Sequence, residues 1–399
     1  MDKYMQLREP LWTRNFKLIW VMNFCLIMWS FMINATFPLY VLELGGSEML
    51  VGVTAAGFSI AAVTMRPIAG RILDNSSRSG VLKWGLIALI AVTAVFWTVP
   101  ILAVIVIVRI FSGFMFAGTG TATNTNAADA IPLSRFGEGM GFLGMGNTLA
   151  TAVGPALGLM IIGNMGFSAL FISSMGLLLI ARIMTQGVKF RAITPKVKTS
   201  KNEKKSFMSL FSMDAIPASV VMIFFAMPFG AVTAFIVLYG ELYGIGSGGL
   251  FFALVAIGTG STRIFSGRIA DIKGEKPLIT LGSIFMVTAM ILLMSGHTVS
   301  YYLAGLVYGI SFGVTLPAMQ AMSMRVVKPE ERGRATATFL CSFDISSGMG
   351  GFIAGTTITL LGYRPMFAVM SLSAALSLVL YYLWARKSPS AFENATKHV

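Results

Sequence analysis

Charged side chains are scarce in this 399-residue chain. Asp, Glu, Lys and Arg together make up 12% of it, about half of the ~25% that is typical of a soluble domain. Cysteine is rarer still, and Cys25 and Cys341 both stand inside apolar runs, which argues against a disulfide framework or a cysteine metal site. His297 and His398 stand alone. Because no nucleophile–base pair or metal-ligand spacing appears, we expect no enzyme activity, no metal and no cofactor.

Apolar side chains dominate instead, at 56% of the residues with a mean hydropathy of +0.78. Long apolar runs recur at about the ~20 residues that a bilayer-spanning helix needs. A transmembrane barrel would show two-residue alternation in short segments, which these runs lack. We therefore predict an all-α polytopic membrane protein whose twelve transmembrane helices lie near residues 18–42, 49–73, 81–99, 101–123, 140–162, 167–187, 215–240, 249–270, 278–296, 299–324, 335–361 and 364–385.

The basic residues predict the orientation. Of the 30 Lys and Arg, only Arg66, Arg109 and Arg263 fall within predicted spans and only Arg364 falls in an outer loop. This positive-inside pattern predicts a multi-pass cell-membrane protein, in the bacterial cytoplasmic membrane, with both termini in the cytoplasm. It also accounts for the net charge of +14. Anionic lipids are the expected counter-charge, and no nucleic-acid partner is needed.

A nine-residue phrase occurs twice, as "RPIAGRILD" at 66–74 and "RIFSGRIAD" at 263–271, 197 positions apart. The same offset relates Pro132 to Pro329, Gly154 to Gly351 and Asn147 to Asp344. We therefore predict two parallel repeats, which transporters use to build a site near the bilayer midplane. The expected domains are a six-helix bundle at 1–187, a lysine-rich cytoplasmic linker at 188–213, a second six-helix bundle at 214–386 and a cytoplasmic tail at 387–399.

Together these features resemble the major facilitator superfamily over essentially the whole chain. Residues 70–78, "GRILDNSSR", are similar to that family's loop signature Gly-x-Leu-x-Asp-Arg-x-Gly-Arg, but depart from it at Asn75 and Ser77. The second copy, "GRIADIKGEK", keeps both the glycine and the aspartate. The resemblance implies a cytoplasmic gate; its alternative is a simple basic loop. The gate would comprise Gly70, Arg71, Asp74, Arg78, Gly267, Arg268 and Asp271, with Arg66 and Arg263 one turn deeper.

Physical reasons support such a gate independently. A glycine at a helix end lets another helix approach closely. An aspartate one turn later can accept hydrogen bonds at a neighbouring helix N-terminus, and a nearby arginine can hold that aspartate. Arg66 and Arg263 would need charge partners at their depth, which the sequence does not identify.

A second similarity is "RIFSG" at 109–113, which resembles the Arg-x-x-x-Gly pattern of proton-coupled members of the family. An arginine inside the membrane is costly, and it indicates a functional site by default. The resemblance implies a role for Arg109 in proton coupling. A structural arginine bound to backbone carbonyls is the alternative.

A third similarity is "GNTLATAVGPALG" at 146–158, which resembles the signature of exporters in this family. Proline removes a backbone donor and bends a helix, while glycine permits close packing. We therefore expect Gly154, Pro155 and Gly158 to form a conformational hinge.

Asp344 lies nine residues after Ala335, which places it ~14 Å into its span and close to the bilayer midplane. A desolvated carboxyl group binds a proton more readily than one in water. We predict that Asp344 couples transport to protons, electrostatically linked to Arg109; a helix-bonded aspartate in a polar cavity is the alternative. Many exporters of the family carry an acid in the first span, where this chain has amides. The expected cavity-lining polar residues are Asn23, Asn34, Asn147 and Gln320.

The predicted function is export of small, partly apolar, drug-like compounds in exchange for protons, by alternating access. A sugar, metabolite or siderophore transporter of the same fold is the second hypothesis, and a non-transporting receptor is the third. We expect the partners to be the substrate, protons and membrane lipids, and the protein to be a monomer.

Overall fold

The computed structural model describes residues 10–75, 78–132, 135–190, 211–325, 327 and 332–385. The regular elements in these ranges are all helices, as expected for a chain that must satisfy its backbone polar groups within lipid. They are α1 (Arg14–Glu43), α2 (Glu48–Asn75), α3 (Arg78–Thr98), α4 (Leu102–Ala130), α5 (Phe136–Met184), α6 (Ile216–Leu242), α7 (Gly248–Lys273), α8 (Lys276–Met294), α9 (Thr298–Arg325), α10 (Arg332–Leu361) and α11 (Tyr363–Leu383).

Helix α5 contains a sharp turn at Gly166, whose φ of 76° and ψ of −179° are not helical. Glycine adopts this left-handed φ without the steric cost that a Cβ atom would add. The turn divides α5 into two segments, so that twelve helical segments follow one another in the described ranges. Nine helices in these ranges are long and apolar enough to cross a membrane. The all-α architecture predicted from the sequence is confirmed.

The helices pack in the same pattern twice. In the N half (α1–α5), α1 packs against α5 and α2 against α4; in the C half (α6–α11), α6 packs against α10 and α7 against α9. Between the halves, α2 packs against α10, α5 against α7 and α1 against α6. The two halves therefore meet along two equivalent seams, the α2/α10 seam and the α5/α7 seam.

Close backbone packing holds α6 against α10 inside the C half. A Cβ atom on Gly230 would lie 2.0 Å from the carbonyl oxygen of Ser347, and one on Gly350 would lie 2.0 Å from that of Met227. Only glycine fits at such a distance, which is how small residues let helices approach in a membrane.

The bundle has two ends. The Glu43 end carries the connection from α1 to α2, at residues 44–47, and the Arg78 end carries the start of α3. The N-terminus of α1 and that of α6 both lie at the Arg78 end, because the helices alternate in direction.

Candidate functional site

A central cavity of about 1350 Å³ lies between the two halves. Helices α1, α2, α4 and α5 line it from the N half, and α6, α7, α9 and α10 line it from the C half. Ten of the residues singled out in the sequence lie in its wall: Asn23, Asn34, Arg66, Gly70, Arg109, Asn147, Pro155, Arg263, Gln320 and Asp344.

Aromatic rings form much of the C-half wall, and sequence reasoning did not single them out. The rings of Phe229 and Phe312 lie 5.3 Å apart, those of Phe229 and Phe343 lie 5.1 Å apart, and Tyr308 stacks on Phe312 at 5.7 Å. With 30 phenylalanines in the chain, composition alone could not separate these from rings that face lipid. Most amides of the wall belong instead to the N half, namely Asn23, Asn34, Asn124 and Asn147.

Arg66 and Asp344 form an ion pair across the α2/α10 seam. Arg66 Nε donates to Asp344 Oδ2, and Arg66 Nη2 donates to Asp344 Oδ1 at 3.1 Å. This two-point geometry is the strongest form of guanidinium–carboxylate contact. Both side chains are 13% exposed, so the pair is largely shielded from water. It joins one helix of each half, and it supplies the partner of Arg66 that the sequence could not identify.

Among the described residues, Asp344 and Arg109 have different direct partners, and the expected electrostatic link between them stays a prediction. In the described residues, Arg109 Nη2 donates to Asn34 Oδ1, and its guanidinium lies over the rings of Phe37 and Phe58 at 4.8 and 4.4 Å from their centroids. Arg109 is 4% exposed. It therefore obtains its stabilisation from an amide oxygen and two aromatic faces within the N half, while Asp344 is held by a different arginine. The roles of both residues in proton coupling remain predictions.

The α5/α7 seam places Arg263 opposite Gly144. A Cβ atom on Gly144 would lie 3.5 Å from Arg263 Nη2. Asn147 follows one turn later on the same helix, and its Oδ1 accepts a hydrogen bond from Asn23 Nδ2. Within the described part of the chain, no carboxylate forms an ion pair with Arg263. This half-buried arginine faces the cavity.

The predicted cytoplasmic gate is described only in part. Arg78 forms an ion pair with Asp129 at the end of α4, an acid that the sequence analysis did not select. A Cβ atom on Gly70 would meet nothing within 4 Å, so the expected close helix approach is absent at this glycine. The remaining gate residues belong to helices α2 and α7, but their surroundings lie outside what the structure describes: Arg71, Asp74, Gly267, Arg268 and Asp271. The gate remains a prediction.

The predicted hinge residues pack α5 against α1. A Cβ atom on Gly154 would lie 3.0 Å from Phe31 Cβ, and one on Gly158 would lie 3.0 Å from Thr36 Cγ2. Pro155 stands inside the helix, and the non-helical residue in α5 is Gly166. The close contact that glycines were expected to permit is present, whereas bending at Pro155 stays a prediction.

Known proteins share this architecture. The chain is 21% identical over 367 residues to the staphylopine export protein of Staphylococcus aureus (strain Mu50), an alignment that covers 88% of this chain and 91% of that protein. It superposes with a TM-score of 0.74 on a bacterial homologue of the human lysosomal transporter Spinster in an inward-facing, unoccupied conformation, at 13% identity, covering 95% of this chain and 98% of that one. The nucleoside transporter NupG gives a TM-score of 0.68 at 17% identity, with 94% of this chain and all of that chain covered (100%).

The sequence model of the Major Facilitator Superfamily matches residues 19–315 and 247–398. Those two ranges take in nearly the whole chain. The fold agrees with this match, since it has twelve helical segments in the described ranges and a cavity between two similarly packed halves. This multi-pass membrane protein belongs to the Major Facilitator Superfamily.

Proposed function

We propose that the protein is a secondary transporter that exports small, partly apolar compounds in exchange for protons by alternating access. The observation that carries the proposal is the Arg66–Asp344 ion pair. It lies in the wall of the central cavity and joins the N half to the C half. A proton that binds Asp344 therefore changes a contact between the two parts that must move.

The energetic argument follows from burial. Removal of one charge from an ion pair that is shielded from water costs about 3–5 kcal/mol, because the remaining charge is left buried without compensation. Protonation of Asp344 would remove the negative charge and leave Arg66 without its counter-charge. The contact between α2 and α10 would then weaken. Proton binding would therefore favour one conformation over the other, which is what a ligand must do to drive a conformational change.

The orientation of the cycle rests on the positive-inside pattern, which puts the Arg78 end in the cytoplasm. Alternating access requires one conformation that opens to this end and another that opens to the Glu43 end. A proton from outside would reach Asp344 in the conformation that opens to the Glu43 end and leave to the cytoplasm in the conformation that opens to the Arg78 end. The substrate would travel in the opposite direction.

Two features favour export, namely the Gly154-Pro155-x-x-Gly158 signature and the relative whose name describes staphylopine export. That relative also favours a second candidate, export of one dedicated metabolite rather than of varied drug-like compounds. The structural neighbours share the fold only, and their substrates do not decide between these two candidates.

The test is transport by proteoliposomes under an imposed pH gradient, with a pH-sensitive dye inside the vesicles. A panel of aromatic acids, amines and neutral drugs supplies the substrates. We expect proton movement that depends on a transported compound, and we expect Asp344→Asn to abolish it while substrate exchange without a gradient persists. Asp214→Asn is the matched control, because it removes the same charge from an exposed residue outside the cavity wall, and it should retain gradient dependence.

Transport by the unmodified protein that ignores the gradient would contradict antiport. Gradient-driven transport by Asp344→Asn would move proton coupling to another residue. Absence of any transport would favour the receptor hypothesis.

A further inference from the structure

We propose that the cavity selects compounds that carry a carboxylate, and that Arg263 binds this group. The inference rests on the proposed transport function and names its substrate class. On the α5/α7 seam, the substrate carboxylate would take the place that the Asp344 carboxylate occupies on the α2/α10 seam.

The charges of the cavity wall are unequal. Its charged side chains, among the described residues, are three arginines and one aspartate: Arg66, Arg109, Arg263 and Asp344. Asp344 neutralises Arg66, so the wall keeps an excess of two positive charges. A low-dielectric cavity lined by one sign of charge concentrates ligands of the opposite sign.

The internal repeat identifies which arginine lacks its acid. Arg263 occupies the position of Arg66 in the second repeat, and Asn147 occupies the position of Asp344 in the first, at the same offset of 197 residues. All four residues lie nine to twelve residues from the helix end at the Arg78 end, a depth of roughly 14–18 Å. The α5/α7 seam therefore has the arginine of the α2/α10 seam but an uncharged amide in place of its carboxylate.

The surroundings of Arg263 leave it available to a ligand. Its Nη2 faces Gly144, where even an added Cβ atom would lie only at ordinary van der Waals distance, 3.5 Å. The Asn147 oxygen is already used by Asn23. Arg109, by contrast, is buried between two rings and bonded to Asn34. Arg263 is thus the cavity cation, within the described residues, that retains its hydrogen-bond donors for a ligand.

The chemistry of the site favours a carboxylate attached to an apolar group. A guanidinium matches a carboxylate in a planar two-point contact, and one positive charge balances one negative charge. A phosphate monoester carries about −1.5 to −2 at neutral pH, but Arg109, the second arginine without an acid in the wall, is engaged by Asn34 and two rings, which leaves Arg263 alone to contact such a group. The rings of Phe229, Phe312 and Phe343 offer an apolar surface in the same cavity.

The test compares three probes that share one fluorophore. Dansylglycine carries a carboxylate, dansylamide is neutral and dansylcadaverine carries an amine. Each is titrated against the purified full-length protein in detergent and followed by dansyl fluorescence. We expect dansylglycine to bind about tenfold more tightly than dansylamide, the factor that a charge-assisted hydrogen bond supplies, and dansylcadaverine to bind most weakly.

Variants then assign the preference to Arg263. Arg263→Gln should abolish the preference for dansylglycine, and Arg263→Lys should keep part of it. Arg182→Gln removes the same charge from a residue outside the cavity wall and should keep all of it. Asn147→Asp should weaken dansylglycine relative to dansylamide about tenfold, because the new carboxylate would pair with Arg263 as Asp344 pairs with Arg66.

Equal or tighter binding of dansylcadaverine, failure of dansylglycine to bind at millimolar concentration, or an unchanged preference in Arg263→Gln would each overturn the proposal. Size-exclusion profiles and melting temperatures show whether each variant is folded. Binding in detergent requires neither a pH gradient nor transport. The binding result can therefore be interpreted even if proton-coupled export fails. In the same way, a failure of dansylglycine binding would not decide whether export is coupled to protons.

Discussion

The two seams between the halves carry equivalent arginines, and these arginines have different surroundings. On the α2/α10 seam, Arg66 reaches across to Asp344 and forms a shielded ion pair. On the α5/α7 seam, the equivalent Arg263 faces Gly144 and the neighbouring Asn147, with no acid among the described residues. The two seams therefore differ in one group, a carboxylate on one and an amide on the other. We call the α2/α10 seam, whose arginine is paired, the closed seam. We call the α5/α7 seam, whose arginine has no acid among the described residues, the open seam.

This asymmetry gives the two seams separate tasks in the proposed cycle. The closed seam holds a group that a proton can neutralise, so it suits coupling to the proton. The open seam holds a fixed positive charge beside an aromatic surface, so it suits the substrate. Two sites that bias one movement of the halves can be coupled without direct contact.

Removal of each arginine should give the largest difference between the seams. Arg66→Ala leaves Asp344 without its counter-charge, and we expect a loss of about 3 kcal/mol in the free energy of unfolding. Arg263→Ala breaks no ion pair among the described residues and should cost less than about 1 kcal/mol. Thermal and denaturant unfolding in the same detergent measure both values. Equal losses would mean that Arg263 has an acid partner of comparable strength.

Glycine substitutions should give an intermediate difference. A Cβ atom on Gly348 would lie 2.5 Å from Ser59 Cβ across the α2/α10 seam, whereas one on Gly144 would lie 3.5 Å from Arg263 Nη2 across the α5/α7 seam. We expect Gly348→Ala to lower the free energy of unfolding by about 1–3 kcal/mol through overpacking, and Gly144→Ala to change it by at most about 0.5 kcal/mol. The melting temperatures of the two variants provide the measurement. A greater loss in Gly144→Ala would show that the α5/α7 seam is the tighter one.

Transfer of the acid from one seam to the other should give the smallest change in stability. Asn147→Asp adds a carboxylate within reach of Arg263 and should raise the free energy of unfolding by about 1 kcal/mol. The double variant Asn147→Asp, Asp344→Asn should recover part of the stability that Asp344→Asn alone loses. A double-mutant cycle of melting measurements checks this. No recovery would mean that the introduced carboxylate does not reach Arg263.

Much of the fold followed from local pattern. Apolar runs of bilayer length predicted the helical segments, because chain length across lipid is a local property of sequence. Asn23, Asn34, Asn147 and Gln320 were expected in the cavity, and all four line it. The contact between Asp344 and Arg66 was not predicted, since Arg66 stands 278 residues away in sequence and no local pattern reports which remote helices touch. The aromatic wall was missed because composition alone could not separate its rings from rings that face lipid.

The sequence by itself determined the membrane class, the repeated halves and the few charges placed at membrane depth. These properties depend on composition, on the length of apolar runs and on a fixed offset along the chain. Only the tertiary structure decided which of the equivalent arginines meets a carboxylate. That outcome depends on how α2 packs against α10 and α5 against α7, and such lateral packing brings together residues whose separation along the chain carries no information about their contact.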